Sequence, residues 1–209
     1  MNNVITYWRT LDLQSMDIIL CEGNSKMSKA IQRFQKLMGA KGQEAMISHV
    51  AGIYKTIDNR LDVQESTTLN KWADKKGVQS NTLEMWLNNY NGKVWIKQLR
   101  FERTPDYKQS DREFWIKHRH DPYESGIPGK LELLLCGLRL ERVVRFFWKG
   151  YQPLKTKNVH CTELQGDRVL CHNKLMGNIP SNRMPPYFWW HMINRFLMVE
   201  CVSENIRIK

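Results

Sequence analysis

A thiol attacks a carbonyl only as the thiolate, and its proton is most readily taken by an imidazole that a third polar group holds in one tautomer. Cys161, His49 and Glu65 are of the types those roles need. Cys161 sits in "KNVHCTELQGDRV" (157–169), after a short β-favouring run and before a polar stretch. If that stretch is helical, the sulfur stands at its first turn, where unpaired backbone amides and the positive end of the helix dipole favour a thiolate and can hold an oxyanion. His49 and Glu65 lie in "ISHVAGIYKTIDNRLDVQEST", which predicts a β-hairpin turning near Asp58-Asn59. By the two-residue period of a strand, His49 shares a side with Ala51 and Ile53, and Glu65 shares one with Leu61 and Val63. A carboxylate thus falls in line with core residues. The midpoint between the two is residue 57, one position before the expected turn, so pairing should bring imidazole and carboxylate together at the hairpin's open end.

Taken singly, each residue has a plainer reading: a cysteine is commonly a small buried hydrophobe and a histidine a satisfied core or surface group. The combination is what points to catalysis. A competing set, His160, Cys161, Cys171 and His172 with Cys201 or His191, would make a metal site. Its spacing departs from the common paired-ligand knuckles, so the expectation is no metal and no cofactor.

The positioning elements follow from periodicity. "DIILCEG" (17–23) reads as a buried strand ended by Gly23. Ser25 then caps a helix in which Met27, Ile31, Phe34 and Met38 recur at helical spacing and which Gly39 stops, predicting a core-facing amphipathic helix. In "GVQSNTLEMWLNNYNGKVWIKQLRF", Asn81 or Thr82 caps a short helix, Gly92 ends it, and "KVWIKQLRF" is a strand. "SDREFWIKH" fits a further helix leading into the Pro- and Gly-bearing loop "HDPYESGIPG", which carries Tyr123. "KLELLLCGLRLERVVRFFWK" (130–149) predicts a largely buried helix or helical pair, too charged to cross a membrane. The aromatic run after "MPPYFWW" fits either helix or strand.

With 42% hydrophobic residues, the 209-residue chain suits one globular domain, 1–209. Cys21, Cys136, Cys161, Cys171 and Cys201 are odd in number with no CxxC pair, which argues against a disulfide framework and for reduced thiols in a cytoplasmic setting. "MNNVITYWRTLDLQ" lacks the features of a secretion signal, and no transmembrane segment is expected. Lys and Arg number 32 against 21 Asp and Glu, a net +11 that would draw the chain toward anionic partners. Arg139, Arg142, Arg145 and Lys149 recur at helical spacing within that excess. A noncatalytic basic module for nucleic acid or a protein partner is therefore the reading from a different class.

"MDIILCEGN", "SHVAGIY", "DVQEST", "KGVQSNTLEMWL", "HDPY" and "VHCTELQ", in this order, resemble the circularly permuted branch of the NlpC-type papain-like thiol hydrolases, from Asp17 to about Leu170. In that branch the histidine strand precedes the cysteine helix. The resemblance implies an α+β papain-like fold, a central antiparallel β-sheet packed with helices. It also implies a thiol hydrolase (cysteine peptidase or amidase) with Cys161 as nucleophile, His49 as base and then acid, Glu65 as the orienting residue, and Tyr123 beside substrate or oxyanion. An amide or peptide bond, in an isopeptide or peptidoglycan-type substrate, is the implied target; lipid esters and acyl transfer are the alternative on the same site. Two departures stand out: Met16 replaces a glycine before the first strand, and Gly166-Asp167 would interrupt the cysteine helix. The segment at about 130–158 is long for the family and predicts a helical insertion.

Overall fold

The computed structural model describes residues 7–67, 76–99, 102–123, 161–172, 189–190 and 206–207. Its framework is one antiparallel sheet of β1 (Ile18–Gly23), β2 (His49–Lys55), β3 (Leu61–Thr67), β4 (Gly77–Thr82), β5 (Gly92–Lys97) and β6 (Ile206–Arg207), in the order β4-β3-β2-β1-β5-β6. Around it lie α1 (Lys26–Leu37), α2 (Leu83–Asn89), α3 (Pro105–His118) and α4 (Cys161–His172). The fold is α+β with an antiparallel sheet packed by helices, the coarse architecture that the resemblance implies.

β1 is buried along its whole length, consistent with its near-continuous apolar run and its place inside the sheet. On one face, Ile19, Ala51, Ile53, Val63 and Val94 meet Leu83, Trp86 and Leu87 of α2 and Tyr90 at its C-cap. The opposite face carries the helix that begins with Cys161. There Val78 of β4 packs with Phe114 of α3 and Leu164 of α4.

Gly52 makes the second contact possible. A Cβ at this β2 position would run into the Gln165 and Arg168 side chains, so the missing side chain lets α4 lie close on the strand. Three bonds then pin the helix. Arg168 donates Nε and Nη2 to the two oxygens of Asp111 on α3, at 2.6 and 2.7 Å, and Nη2 also to the Ile53 carbonyl at 2.9 Å. All of this is buried, so the guanidinium is tolerated only because its charge and much of its fork are matched.

Several sequence expectations need correction. The inward residues of α1 are Gln32 and Gln35, while Met27 is exposed and Ile31, Phe34 and Met38 are half-buried. The cause is backbone demand. Gln32 donates to the Gly23 and Met46 carbonyls, and Gln35 to those of Ala45 and Ile47, satisfying acceptors at the end of β1 and around the 3-10 turn Glu44–Met46. Gly92 opens β5; α2 is capped earlier, by Tyr90, and it starts on Thr82, whose hydroxyl accepts from Met85 N–H. Helix α4 runs without a break through Gly166-Asp167. Met16 does adopt the left-handed backbone its glycine counterpart would favour, with φ 73°. The expected insertion at 130–158, the basic run at Arg139–Lys149 and the terminal aromatic segment's 191–205 portion lie outside the described residues.

Candidate active site

The site forms where β2 begins. Gly52 pairs with Gln64 and Lys55 with Leu61, so the hairpin centres on residue 58, at the Asp58-Asn59 turn that the sequence predicts, and Asn59 makes the turn with φ 61°. Continued to the open end, this register sets His49 opposite Thr67 and makes Glu65 its diagonal neighbour on the same face. A long side chain spans that diagonal, and His49 Nε2 meets Glu65 Oε2 at 2.6 Å. Directly across from Glu65, Gln79 of β4 donates its amide N–H to Oε1 at 3.0 Å. Both carboxylate oxygens are thus engaged on a side chain that is 2% exposed. The ring is held by a carboxylate that is itself held.

Cys161 is the first residue of α4 and is 6% exposed. Its sulfur shares the cleft with the His49 ring, near enough for the two to interact electrostatically. Burial disfavours a charged imidazole, but the adjacent Cys161 sulfur and the Glu65 carboxylate together outweigh it and lift His49 to about 10. The raised His49 value favours the protonated ring at neutral pH, beside a sulfur at the helix N-terminus.

Cys21 provides an internal contrast. It faces His49 across the β1–β2 pair, yet burial and then the Glu65 charge push its thiol well above the ordinary range, against a hydrogen bond from Tyr90 that works the other way. Cys21 is a neutral thiol of the core. Burial likewise raises Tyr90, followed by the neighbouring Cys21 and Glu65, keeping its hydroxyl un-ionised beside the cleft.

A cleft of about 520 Å³, counted out to its mouth, joins Cys161, His49 and Glu65 with Tyr90, Tyr123 and the α1 residues Met27 and Ile31. Tyr123 reaches it because its loop is docked on β4: Val78 N–H donates to the Asp121 carbonyl at 2.8 Å, and Gly77 pairs with Pro122. Gly77, at φ 141°, leaves no room for a Cβ against Asp121. The structure thus gathers all four sequence-predicted residues, Cys161, His49, Glu65 and Tyr123, in one cleft. A roomier hollow at the turn end of the hairpin, lined by Lys55, Lys108 and Arg112, has no cysteine, histidine or carboxylate among the described residues of its wall. Sequence reasoning missed Gln79 and Tyr90. Recognising "GVQSNT" as a strand paired with β3 would have found Gln79; for Tyr90, at a helix C-cap, no local pattern singles it out.

No family model and no curated protein matches the chain. Among solved structures, the crystal structure of the metalloprotein yiiX from Escherichia coli O157:H7, a DUF1105 protein, aligns with a TM-score of 0.52 at 13% identity, covering 94% of this chain and 89% of that one. At that identity the likeness shows a shared fold across nearly the whole of both chains.

Proposed function

We propose that the protein is a cysteine hydrolase of permuted papain-like architecture that cleaves an amide or peptide bond through a thioester on Cys161. One observation carries this reading: a single imidazole is hydrogen-bonded to a buried, doubly engaged carboxylate and lies in one cleft with a sulfur at a helix N-terminus. The Cys161 thiolate attacks the acyl carbon, a C–S bond forms, and the carbonyl π pair moves to oxygen. Unpaired amides in the first turn of α4 supply donors for that oxyanion. His49 gives its proton to the departing amine as the C–N bond breaks. Water then attacks the thioester carbon as His49 takes one of its protons; the tetrahedral intermediate collapses with breakage of the C–S bond, and the carboxylic acid leaves with the Cys161 thiolate and protonated His49 restored. Glu65 keeps the ring oriented throughout, as the third member of such a set does.

The metal in the yiiX name belongs to that protein. Among the described residues of this chain, no group of three or more His, Cys, Asp or Glu is arranged to hold a metal ion, and no step is derived through one. Among those residues, too, no helix is long and apolar enough to cross a membrane.

Competitive alkylation tests the assignment. Near neutral pH, iodoacetamide is expected to modify Cys161 well ahead of the other four cysteines, and His49→Ala to slow that reaction. Intact mass after incubation with acyl substrates should reveal an adduct in wild type and none in Cys161→Ala. Uniform labelling of all five thiols, with salt-sensitive retention on DNA that survives Cys161→Ala, would instead favour the noncatalytic basic module.

A further inference from the structure

The hollow at the turn end of the β2–β3 hairpin is a second concavity, and its wall is built differently from that of the reaction cleft. It encloses about 930 Å³, counted out to its mouth. Lys55, in its wall, ends the strand that His49 begins, so the two positions lie about 20 Å apart along β2. The α3 side supplies Lys108 and Arg112, one turn apart.

These three cations have no counter-charge in place. Among the described residues none of them makes an ion pair, and no carboxylate stands in the described wall. Of the acids on the neighbouring elements, Asp62 is taken by Arg60, Asp111 by Arg168, Asp58 by the Thr56 hydroxyl and Glu113 by the Gln109 amide. Asp106, in the first turn of α3, lies outside the wall. Like charges at positions i and i+4 of a helix repel, and a concave wall concentrates the field of one sign. An anion seated between them relieves both effects.

The uncharged groups of the wall are donors. Tyr54 is raised by burial first and then by the Asp111 carboxylate, with Arg112 near enough to oppose the shift, so its hydroxyl keeps its hydrogen beside the guanidinium. Ser15 Oγ accepts from Lys55 N–H at 2.9 Å, an arrangement that uses a lone pair and leaves its own hydrogen to give. Pro105, the first residue of α3, borders the hollow too, bringing the positive end of a 14-residue helix to the same place. A guanidinium fork, two ammonium groups and two hydroxyls are matched to a group with several charged oxygens, as phosphate is.

We propose that the hollow between the hairpin turn and α3 is a binding site for a phosphate group, borne by free inorganic phosphate or by a small phosphate ester, and separate from the site of Cys161.

Amide NMR spectra of the full chain, titrated with sodium phosphate into tens of millimolar at a constant ionic strength of about 0.15 M, test it. Saturable shifts are expected at residues 54–59 and 105–112, with those around His49 and Cys161 unmoved, and Cys161→Ala should bind like wild type. Arg112→Gln should weaken the fitted affinity on the order of tenfold, and Arg112→Lys, which keeps the charge and loses the fork, by less. Lys117→Gln removes an equal charge from an exposed position of the same helix outside the wall, and should leave the affinity unchanged. Adenosine monophosphate binding more tightly than phosphate assigns an ester; equal or weaker binding assigns the free anion. The proposal is overturned if no saturable shift appears, if the shifts centre on the reaction cleft, or if adenosine binds as well as its monophosphate. It is equally overturned if Lys117→Gln weakens binding as much as Arg112→Gln, which would reduce the effect to net charge.

Discussion

On the proposed mechanism the chemistry turns on His49, whose proton is a measurable quantity. Its folded value of about 10 lies above the 6.5 of an ordinary histidine. Between those two values the folded chain holds a proton that the unfolded chain has released, so this group's contribution to stability is complete below about pH 6.5 and is lost as pH rises through about 10. Imidazole resonances followed by NMR should therefore show His49 titrating near 10, and a histidine that titrates near 6.5 would remove the ion-pair mechanism. The acid role predicts the matching kinetic result: turnover declines on the alkaline side as the ring loses the proton it must donate. His49→Ala should cost on the order of a hundredfold to ten-thousandfold in rate. Gln79 acts at one remove. Gln79→Ala leaves Glu65 Oε1 buried without its donor, at a stability cost of about 1–3 kcal/mol in denaturant melts.

At the scale of elements, the decisive contact is the one that fixes α4. Asp111→Ala would strand a fully buried guanidinium, so its expected cost is about 3–5 kcal/mol, larger than that of a typical surface ion pair. Because the same helix carries the sulfur, activity should fall even where the variant remains folded; a loss under 1 kcal/mol with full activity would show that Arg168 is not what holds the helix. Met16 poses a contest between two terms. Its left-handed backbone costs about 1–2 kcal/mol relative to glycine, whereas its fully buried side chain is worth about 2–5 kcal/mol. Burial wins, so Met16→Gly should destabilise, and a higher melting temperature in that variant would reverse the ranking. The hairpin that carries His49 and Glu65 was legible in the sequence because period-two alternation reports face directly and Asp58-Asn59 marks the turn. Less legible was α1, whose apolar period was plain while the partners of its two glutamines were carbonyls that only folding brings near. β4 escaped for a related reason: its inward Gln79 and Asn81 look like loop residues until a carboxylate across the sheet gives one of them a purpose. The chain segments at 130–158 lie beyond what the described residues can compare.

Over the whole molecule, two buried bases oppose one another as pH changes. Lys97 on β5 is 2% exposed, donates to the Trp189 and Trp190 carbonyls at 2.9 and 2.6 Å, and is pushed by burial from 10.5 down to about 7. Here the unfolded chain binds the extra proton. The stability associated with Lys97 is therefore present above about pH 10.5 and lost as pH falls through about 7, the reverse of His49. Urea midpoints of wild type and Lys97→Met, measured from pH 7 to 10.5, should diverge in favour of wild type as pH rises, at a slope no steeper than about 1.4 kcal/mol per pH unit. Parallel curves would mean that the amine is not desolvated in the native state.

The hairpin of β2 and β3 has a consequence for how reactivity arises during synthesis. Imidazole and carboxylate lie 16 residues apart on one hairpin, which alone is marginal in water, and the sulfur follows on a much later helix that has nowhere to dock until Gly52 and Ile53 are already in a sheet. On the proposed reading, a growing chain therefore holds Cys161 as an ordinary thiol until the scaffold around the ring is complete.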